Sequence, residues 1–162
     1  MVENTGNTQT TQMGGLHELI GYNLRCAQIA VFQHFKKTVG NFNISPAQYG
    51  AMVLIKANKG ISQSAIASAL RFDRSTLVQI IDRLESRNLV VREASINDRR
   101  SYALRLTKSG SAMLSRLRKL VEKHEKYMTE NLTDIDRQTL IQLLARVHKE
   151  VDDKKNTGGG NG

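Results

Sequence analysis

Residues 62–87 read SQSAIASALRFDRSTLVQIIDRLESR, two short helical patterns joined by a tight turn. Ser62 and Asp73 each precede a periodic apolar run, as helix N-caps do, because their side-chain oxygens accept bonds from free amides of the first turn. Ala67 is small where two such helices must approach closely, and Leu77 is branched where the second helix must lock onto the first. The spacing therefore predicts a helix-turn-helix pair.

The second helix of this pair, predicted from Arg74 to Arg87, has two different faces. Its apolar stripe consists of Leu77, Ile80, Ile81 and Leu84. The candidates for DNA contact on the polar surface are Arg74, Ser75, Thr76, Gln79 and Arg83. Short polar groups followed by Gln and Arg suit base edges in a major groove. The alternative is the solvated face of an ordinary surface helix, which has the same pattern.

A predicted β-hairpin follows the helix pair. Residues 89–93 and 101–106 have strand-like patterns, and the polar segment 95–100 joins them. The candidate DNA contacts in that segment are Asp98, Arg99 and Arg100. A basic hairpin tip directly after such a helix is typical of a winged helix-turn-helix, in which the wing places arginine in a narrow minor groove. The alternative is a solubilising loop tip.

Long amphipathic helices flank this central module. Residues 16–37 carry apolar side chains at three- and four-residue spacing, which predicts one long helix. Residues 45–48 form a capping box that opens the first helix of the module. After the hairpin, Thr107 caps a helix that runs to about Asn131, and a second capping box at 133–136 opens the last helix. The module is too small to cover all these apolar stripes, which predicts a homodimer.

These patterns together predict a mainly α fold with a small β-hairpin wing. The architecture is a winged helix-turn-helix with long N- and C-terminal dimerisation helices. The predicted divisions are a flexible tail at 1–15, an N-terminal dimerisation helix at 16–40, a DNA-binding region at 41–107, C-terminal dimerisation helices at 108–155 and a second flexible tail at 156–162.

The composition favours a partner that carries many negative charges. Lys and Arg number 24 against 15 Asp and Glu, which gives a formal net charge of +9. Such a surplus favours double-stranded DNA or an anionic membrane surface. The polar N-terminus and the lack of a long apolar run argue against secretion and membrane insertion. The single Cys26 excludes an internal disulfide, and we expect a cytoplasmic protein without a membrane partner.

Several stretches resemble the MarR family of bacterial winged-helix regulators. They are the runs SPAQY at 45–49, DRSTL at 73–77, DRLE at 82–85, NLV at 88–90, NDRR at 97–100 and LTKSG at 106–110. The resemblance covers about residues 16–151. It implies a triangular homodimer whose terminal helices intertwine and whose two winged modules bind a pseudo-palindromic operator. It assigns to the recognition helix and the wing the residues Ser75, Thr76, Gln79, Arg83, Asp98 and Arg100.

The family resemblance also implies a small-molecule effector. Members usually repress transcription and release DNA when a ligand binds, often an aromatic or phenolic carboxylate and in some members an acyl-CoA thioester. The implied pocket lies between the dimer helices and the winged module. The candidates to line it are His17, Tyr22, Arg25, Phe32, Tyr49 and Met52. Arg25 suits an anionic group, although each of the six has an alternative role in the core or in the dimer contact.

The sequence departs from the common pattern at two turns. Arg71 stands at the ninth place of the helix-turn-helix, where Gly is usual because the turn favours a left-handed backbone. Arg71 therefore predicts either local strain or a different turn. Asn88 stands where Gly is frequent in the family, and Asn tolerates the left-handed region.

No catalytic residue, metal ligand or cofactor is predicted. The sequence has no Gly-rich phosphate loop and no nucleophile elbow. No two of the four histidines have the four-residue spacing of a helical metal clip, and His124 falls in an apolar rhythm that predicts packing. Cys26 lies beside an apolar stripe, which favours a small hydrophobe over a redox sensor. The remaining alternative is a winged-helix protein that coats DNA without sequence preference or binds other proteins, and has no small-molecule ligand.

Overall fold

The computed structural model describes residues 11–94 and 102–157, with side chains described as far as residue 149. Asp98, Arg99 and Arg100 of the predicted wing tip lie outside the described residues. Single 3-10 turns lie at Leu16–Glu18 and Gly40–Phe42. The helices are α1 Ile20–Val39, α2 Pro46–Ala57, α3 Gln63–Leu70, α4 Arg74–Ser86, α5 Lys108–Met128 and α6 Asp134–Thr157. The strands are β1 Ile61–Ser62, β2 Val90–Ala94 and β3 Tyr102–Leu106.

Side-chain N-caps open five of these helices, as the sequence predicts. The capping residues are Ser45, Ser62, Asp73, Thr107 and Thr133. Ser45 also forms a full capping box with Gln48, and Thr133 forms one with Asp136. Each cap satisfies an amide that the helix itself leaves without a partner.

The ends of three elements differ from the predictions. The first helix begins at Ile20 and not at residue 16, because Leu19 is extended between the 3-10 turn and α1. α5 ends at Met128 and not near Asn131, because Thr129 leaves the helical conformation. β2 begins one residue after Leu89, whose amide instead donates to a carbonyl near the end of α4.

The sheet has a third strand that the sequence does not predict. β1 pairs antiparallel with β3, so that the strand order is β1-β3-β2 and Ile61 lies opposite Leu104. A strand of two residues has no alternation to detect, and its second residue is also the cap of α3. The predicted hairpin of β2 and β3 is confirmed.

Both departures at the turns adopt the left-handed conformation. Arg71 has φ 56° and ψ 36°, so the turn is of the usual kind and the residue carries the strain that a side chain brings there. Asn88 has φ 53°, in keeping with the tolerance of Asn for this region.

The core lies between α2, α3, α4, α5 and the sheet, and the second half of α1 packs on it. Its fully buried side chains include Met52, Ile66, Leu77, Ile81, Leu84, Leu104 and Leu117. The first half of α1 and the whole described part of α6 lie outside this core. They and the middle of α1 expose apolar side chains, among them Leu24, Phe32, Leu140, Leu144 and Val147. In the part of the chain that the structure describes, no helix has the length and apolarity to cross a membrane.

Candidate nucleic-acid interface

Helix α4 presents its predicted contact residues on the face opposite the core. Leu77, Ile80, Ile81 and Leu84 are buried, whereas Arg74, Ser75, Gln79 and Arg83 are exposed and Thr76 is half-buried. The apolar stripe therefore anchors the helix and leaves one polar face free for a partner. An exposed polar helix face of this kind can enter the major groove of DNA, which admits an α-helix.

Hydrogen bonds to Asp73 determine whether the Ser75 and Thr76 hydroxyls can act as donors or acceptors toward a partner. Its carboxylate accepts the Thr76 amide at 2.8 Å and both hydroxyls at 2.5 Å. These bonds, from Ser75 first, hold the pKa of the Asp73 carboxyl well below its usual range. Both hydroxyl protons are thus used within the cap, and the two oxygens present acceptors outward. The side-chain donors that α4 still exposes for base edges are then Arg74, Gln79 and Arg83.

Arg92 of β2 joins the wing to α4. It donates to Asp82 at 2.6 Å and to the Glu85 carboxylate, while its own amide donates to Glu85 at 3.2 Å. The Arg92 side chain is only 18% exposed. Asp82, which the sequence places on the outward face beside Gln79, is therefore occupied by the wing. Sequence reasoning missed Arg92, because its contacts form only when β2 folds back along α4.

A second junction connects the end of α4 to the start of α5. The hydroxyls of Thr107 and Ser109 donate to the Asn88 carbonyl at 2.7 and 2.6 Å, and the Thr107 amide donates to the Leu89 carbonyl at 3.1 Å. Gly110 lies directly against the Leu89 backbone. These contacts give Thr107, Ser109 and Gly110 of the LTKSG run a structural role at this junction.

Two arginines connect the ends of α4 to other parts of the chain. Before the helix, Arg71 Nη2 lies 3.0 Å from His148 Nδ1 on α6; arginine only donates, so His148 accepts. After the helix, Arg87 donates to the carbonyls of Phe42 and Asn43. Neither contact can be predicted from the local sequence pattern, because the partners are far apart in the sequence.

The six candidate effector residues do not converge on one cavity of the protomer. His17, Arg25 and Phe32 are exposed at the start of the chain and on α1, and Tyr22 is half-buried beside the exposed Cys26. Met52 has no exposed surface and belongs to the core.

Tyr49 lines a groove of about 530 Å³ between α2, α5 and α6. Its ring packs against Phe35 at a centroid distance of 6.2 Å, and burial raises the pKa of its phenol. The other lining residues are Arg118, Val121, Glu122, Glu125 and Arg137. Arg118 and Arg137 add two cationic groups to this aromatic surface, and sequence reasoning did not select them.

His124 is packed in the interior, as its place in the apolar rhythm predicts. Its Nδ1 lies 2.7 Å from His34 Nδ1, and its ring meets Phe35 edge-on at a centroid distance of 5.6 Å. Burial lowers the pKa of His124, and the neighbouring His34 lowers it further against the opposing effect of Glu125. Among the described residues, no three His, Cys, Asp or Glu side chains could hold a metal ion together.

The chain is similar to known transcriptional regulators. A model described as the MarR family matches residues 42–101. A protein of Thauera aromatica assigned to transcriptional regulation of the hcr operon is 37% identical over 138 residues, which is 85% of this chain and 83% of that protein.

Solved structures of the transcriptional repressor CouR are also similar. CouR bound to a 23-mer DNA duplex has a TM-score of 0.81 and 41% identity over 86% of this chain and 99% of CouR. CouR bound to p-coumaroyl-CoA has a TM-score of 0.80 and 40% identity over 87% of this chain and 99% of CouR. With the winged helix-turn-helix and its exposed polar α4 face, these likenesses show that the chain belongs to the MarR family of transcriptional regulators.

Proposed function

We propose that this chain is a sequence-specific DNA-binding repressor that acts as a homodimer and releases a pseudo-palindromic operator when a small molecule binds. The observation that carries the proposal is the exposed polar face of α4, anchored by a buried stripe and joined to the wing through Arg92. A CouR relative at 41% identity is bound to a DNA duplex. In this function the chain acts by binding and catalyses no reaction.

The uncovered helices support the homodimer. Every described side chain of α6 is exposed, including Leu140, Leu143, Leu144 and Val147. These leucines and the start of α1 line an open groove of about 560 Å³. A helix without buried residues is only marginally stable in isolation, because most helical stability in proteins comes from tertiary packing. A second copy supplies the same apolar faces and covers them by two-fold symmetry.

Selection of bound duplexes from a random DNA library tests the DNA-binding part. We expect two half-sites related by a two-fold axis, with centres about one helical turn or a multiple apart. Gln79→Ala protein should select the same spacing but lose preference at one base of each half-site. Recovery of unrelated sequences would instead indicate the non-specific coating protein that shares this fold and charge.

The proposed effector is an acyl-CoA thioester whose acyl group is aromatic. A CouR relative at 40% identity is bound to p-coumaroyl-CoA. In this chain, Tyr49 and Val121 offer an aromatic and apolar surface beside Arg118 and Arg137, in a groove that Glu122 and Glu125 also line. This pairing suits an aromatic group that is joined to phosphates, because arginine binds phosphate in a bidentate manner.

Release of a preformed operator complex tests the effector. We expect p-coumaroyl-CoA to dissociate the complex at concentrations at which p-coumarate and free CoA do not. Arg118→Gln and Arg137→Gln should raise the concentration required, while Arg116→Gln, which removes the same charge from the exposed surface of α5, should not. Equal release by the free acid would assign an aromatic carboxylate as effector, and no release by any of the three would refute this effector class.

A further inference from the structure

Arg87, the residue that follows α4, lies against the segment that ends α1. Its Nη1 donates to the Asn43 carbonyl at 2.6 Å, and its Nη2 donates to the Phe42 carbonyl at 2.8 Å. The side chain is half-buried. The planar guanidinium fork meets two successive carbonyls, so a single rigid group fixes both distance and direction.

The carbonyls that Arg87 binds lie at the end of a single 3-10 turn that directly follows α1. The 3-10 turn Gly40–Phe42 follows α1 directly, and Asn43 closes it with φ 48° and a bond from its amide to the Gly40 carbonyl. Carbonyls at the end of a helical turn lack partners within that turn, so a side-chain donor can satisfy them. The Arg87 guanidinium supplies such donors to the Phe42 and Asn43 carbonyls.

The Arg87 side chain joins the end of α4 to the backbone that follows α1. Arg87 directly follows α4, which presents the polar face to DNA, and Phe42 ends the 3-10 turn that directly follows α1. α1 also carries part of the uncovered apolar surface that a second copy has to bury. Besides the shared hydrophobic core, the Arg87 connection therefore links α4 directly to the end of the helix that carries part of the dimer surface.

We propose that Arg87 is a positioning residue that sets the separation of the two α4 helices in the homodimer and thereby the half-site spacing of the operator. The inference rests on the proposed function. One additional base pair moves a half-site by about 3.4 Å along the duplex and rotates it by about 35°. A dimer with a rigid connection rejects such a change, whereas a dimer with a loosened connection accepts it.

A spacing series tests the proposal. Duplexes carry the two selected half-sites with the intervening DNA unchanged or lengthened or shortened by one or two base pairs. The variants are Arg87→Gln, Arg87→Lys and the charge-matched control Arg116→Gln. Affinity is measured by fluorescence anisotropy, circular dichroism monitors folding, and a scrambled duplex measures non-specific binding.

We expect wild-type protein and Arg116→Gln to prefer one spacing steeply. Arg87→Gln should reduce the ratio between the best and the offset spacing by at least about tenfold, which corresponds to the loss of at least one of the two hydrogen bonds from its charged group. Its affinity for the scrambled duplex should stay within about twofold of that of Arg116→Gln. Arg87→Lys keeps the charge but lacks the fork, so it should lose most of the same ratio.

Two results would overturn the proposal. One refutes only the role of Arg87, and the other refutes the proposed function as well. If Arg87→Gln weakens binding at every spacing by the same factor, Arg87 acts through charge or a phosphate contact, and the positioning role is wrong. If wild-type protein prefers no sequence at all, the proposed function itself fails and the inference fails with it. If Arg87→Gln does not fold, Arg87→Lys decides by the same ratio.

Discussion

Replacing Gly110 by alanine should destabilise this protein, although the same exchange stabilises an ordinary helix by about 1 kcal/mol. A Cβ atom at Gly110 would lie 2.8 Å from the Leu89 carbonyl carbon and 3.2 Å from the Leu89 Cα, and closer still to the carbonyl oxygen. Carbon atoms in contact lie about 3.5–4.0 Å apart. The neighbour is backbone and has no rotamer to change, so α5 has to move by about 1 Å.

The cost of this movement follows from what it disturbs. Overpacking alone costs about 1–3 kcal/mol. The bonds from Thr107 and Ser109 to the Asn88 and Leu89 carbonyls span the same junction, and each is worth about 1 kcal/mol. After subtraction of the helical gain, we expect Gly110→Ala to lower the free energy of unfolding by about 3 kcal/mol.

Urea unfolding followed by circular dichroism measures this change, since the chain has no Trp for fluorescence. The protein concentration is held constant, because the stability of a dimer depends on it. Gly50→Ala in α2 is the matched control: its Cβ would meet only Leu70 side-chain atoms, at 3.3 Å or more, and the expected change is less than about 1 kcal/mol. Unchanged or increased stability of Gly110→Ala would refute the argument from close packing.

Four further results are expected. Gln79→Ala should cost about 1–3 kcal/mol of discrimination at one base of each operator half-site, and an equal loss on all sequences would indicate a phosphate contact instead. Arg100→Ala should reduce operator affinity while the mass of the dimer stays the same, and unchanged affinity would exclude the wing role predicted from the sequence. Asn88→Gly should leave stability nearly unchanged and Asn88→Ala should cost about 1 kcal/mol in urea unfolding, because only alanine is strained at φ 53°; equal stability of the two would contradict this. Burial keeps the pKa of His124 in the folded state below its ordinary value near 6.5. As the pH falls below 6.5, the unfolded state therefore binds the proton before the folded state does, and the free energy of unfolding should decrease by up to about 1.4 kcal/mol per pH unit. The variant His124→Gln should show a smaller slope of this free energy against pH.

Local signals in the sequence predict the elements that local physics determines. Ser62, Asp73 and Thr107 act as caps in the structure because capping depends on a side chain and an amide three residues apart. The buried stripe of α4 follows from a period of 3.6 residues in the same way. Asn88 adopts the left-handed conformation that asparagine tolerates, whereas for Arg71 the sequence leaves either local strain or a different turn open, and the residue adopts the left-handed turn.

Contacts between distant segments are not predictable in this way. Arg92 reaches Asp82 only after β2 folds back, and Arg87 reaches Asn43 across 44 residues of sequence. The pairing of His34 with His124 spans 90 residues. The sequence identifies the polar face of α4, but these long-range contacts show that Asp82 belongs to the wing connection and not to the free face.

The affinity ratio between the best selected duplex and a scrambled duplex of equal length, measured across a salt series, shows whether this protein recognises DNA sequence. We expect a preference of at least about a thousandfold at physiological salt. Both affinities should fall with salt, because phosphate contacts contribute to both. Equal affinity for the two duplexes at every salt concentration would contradict sequence-specific binding and leave a winged-helix protein that recognises only the charge of DNA.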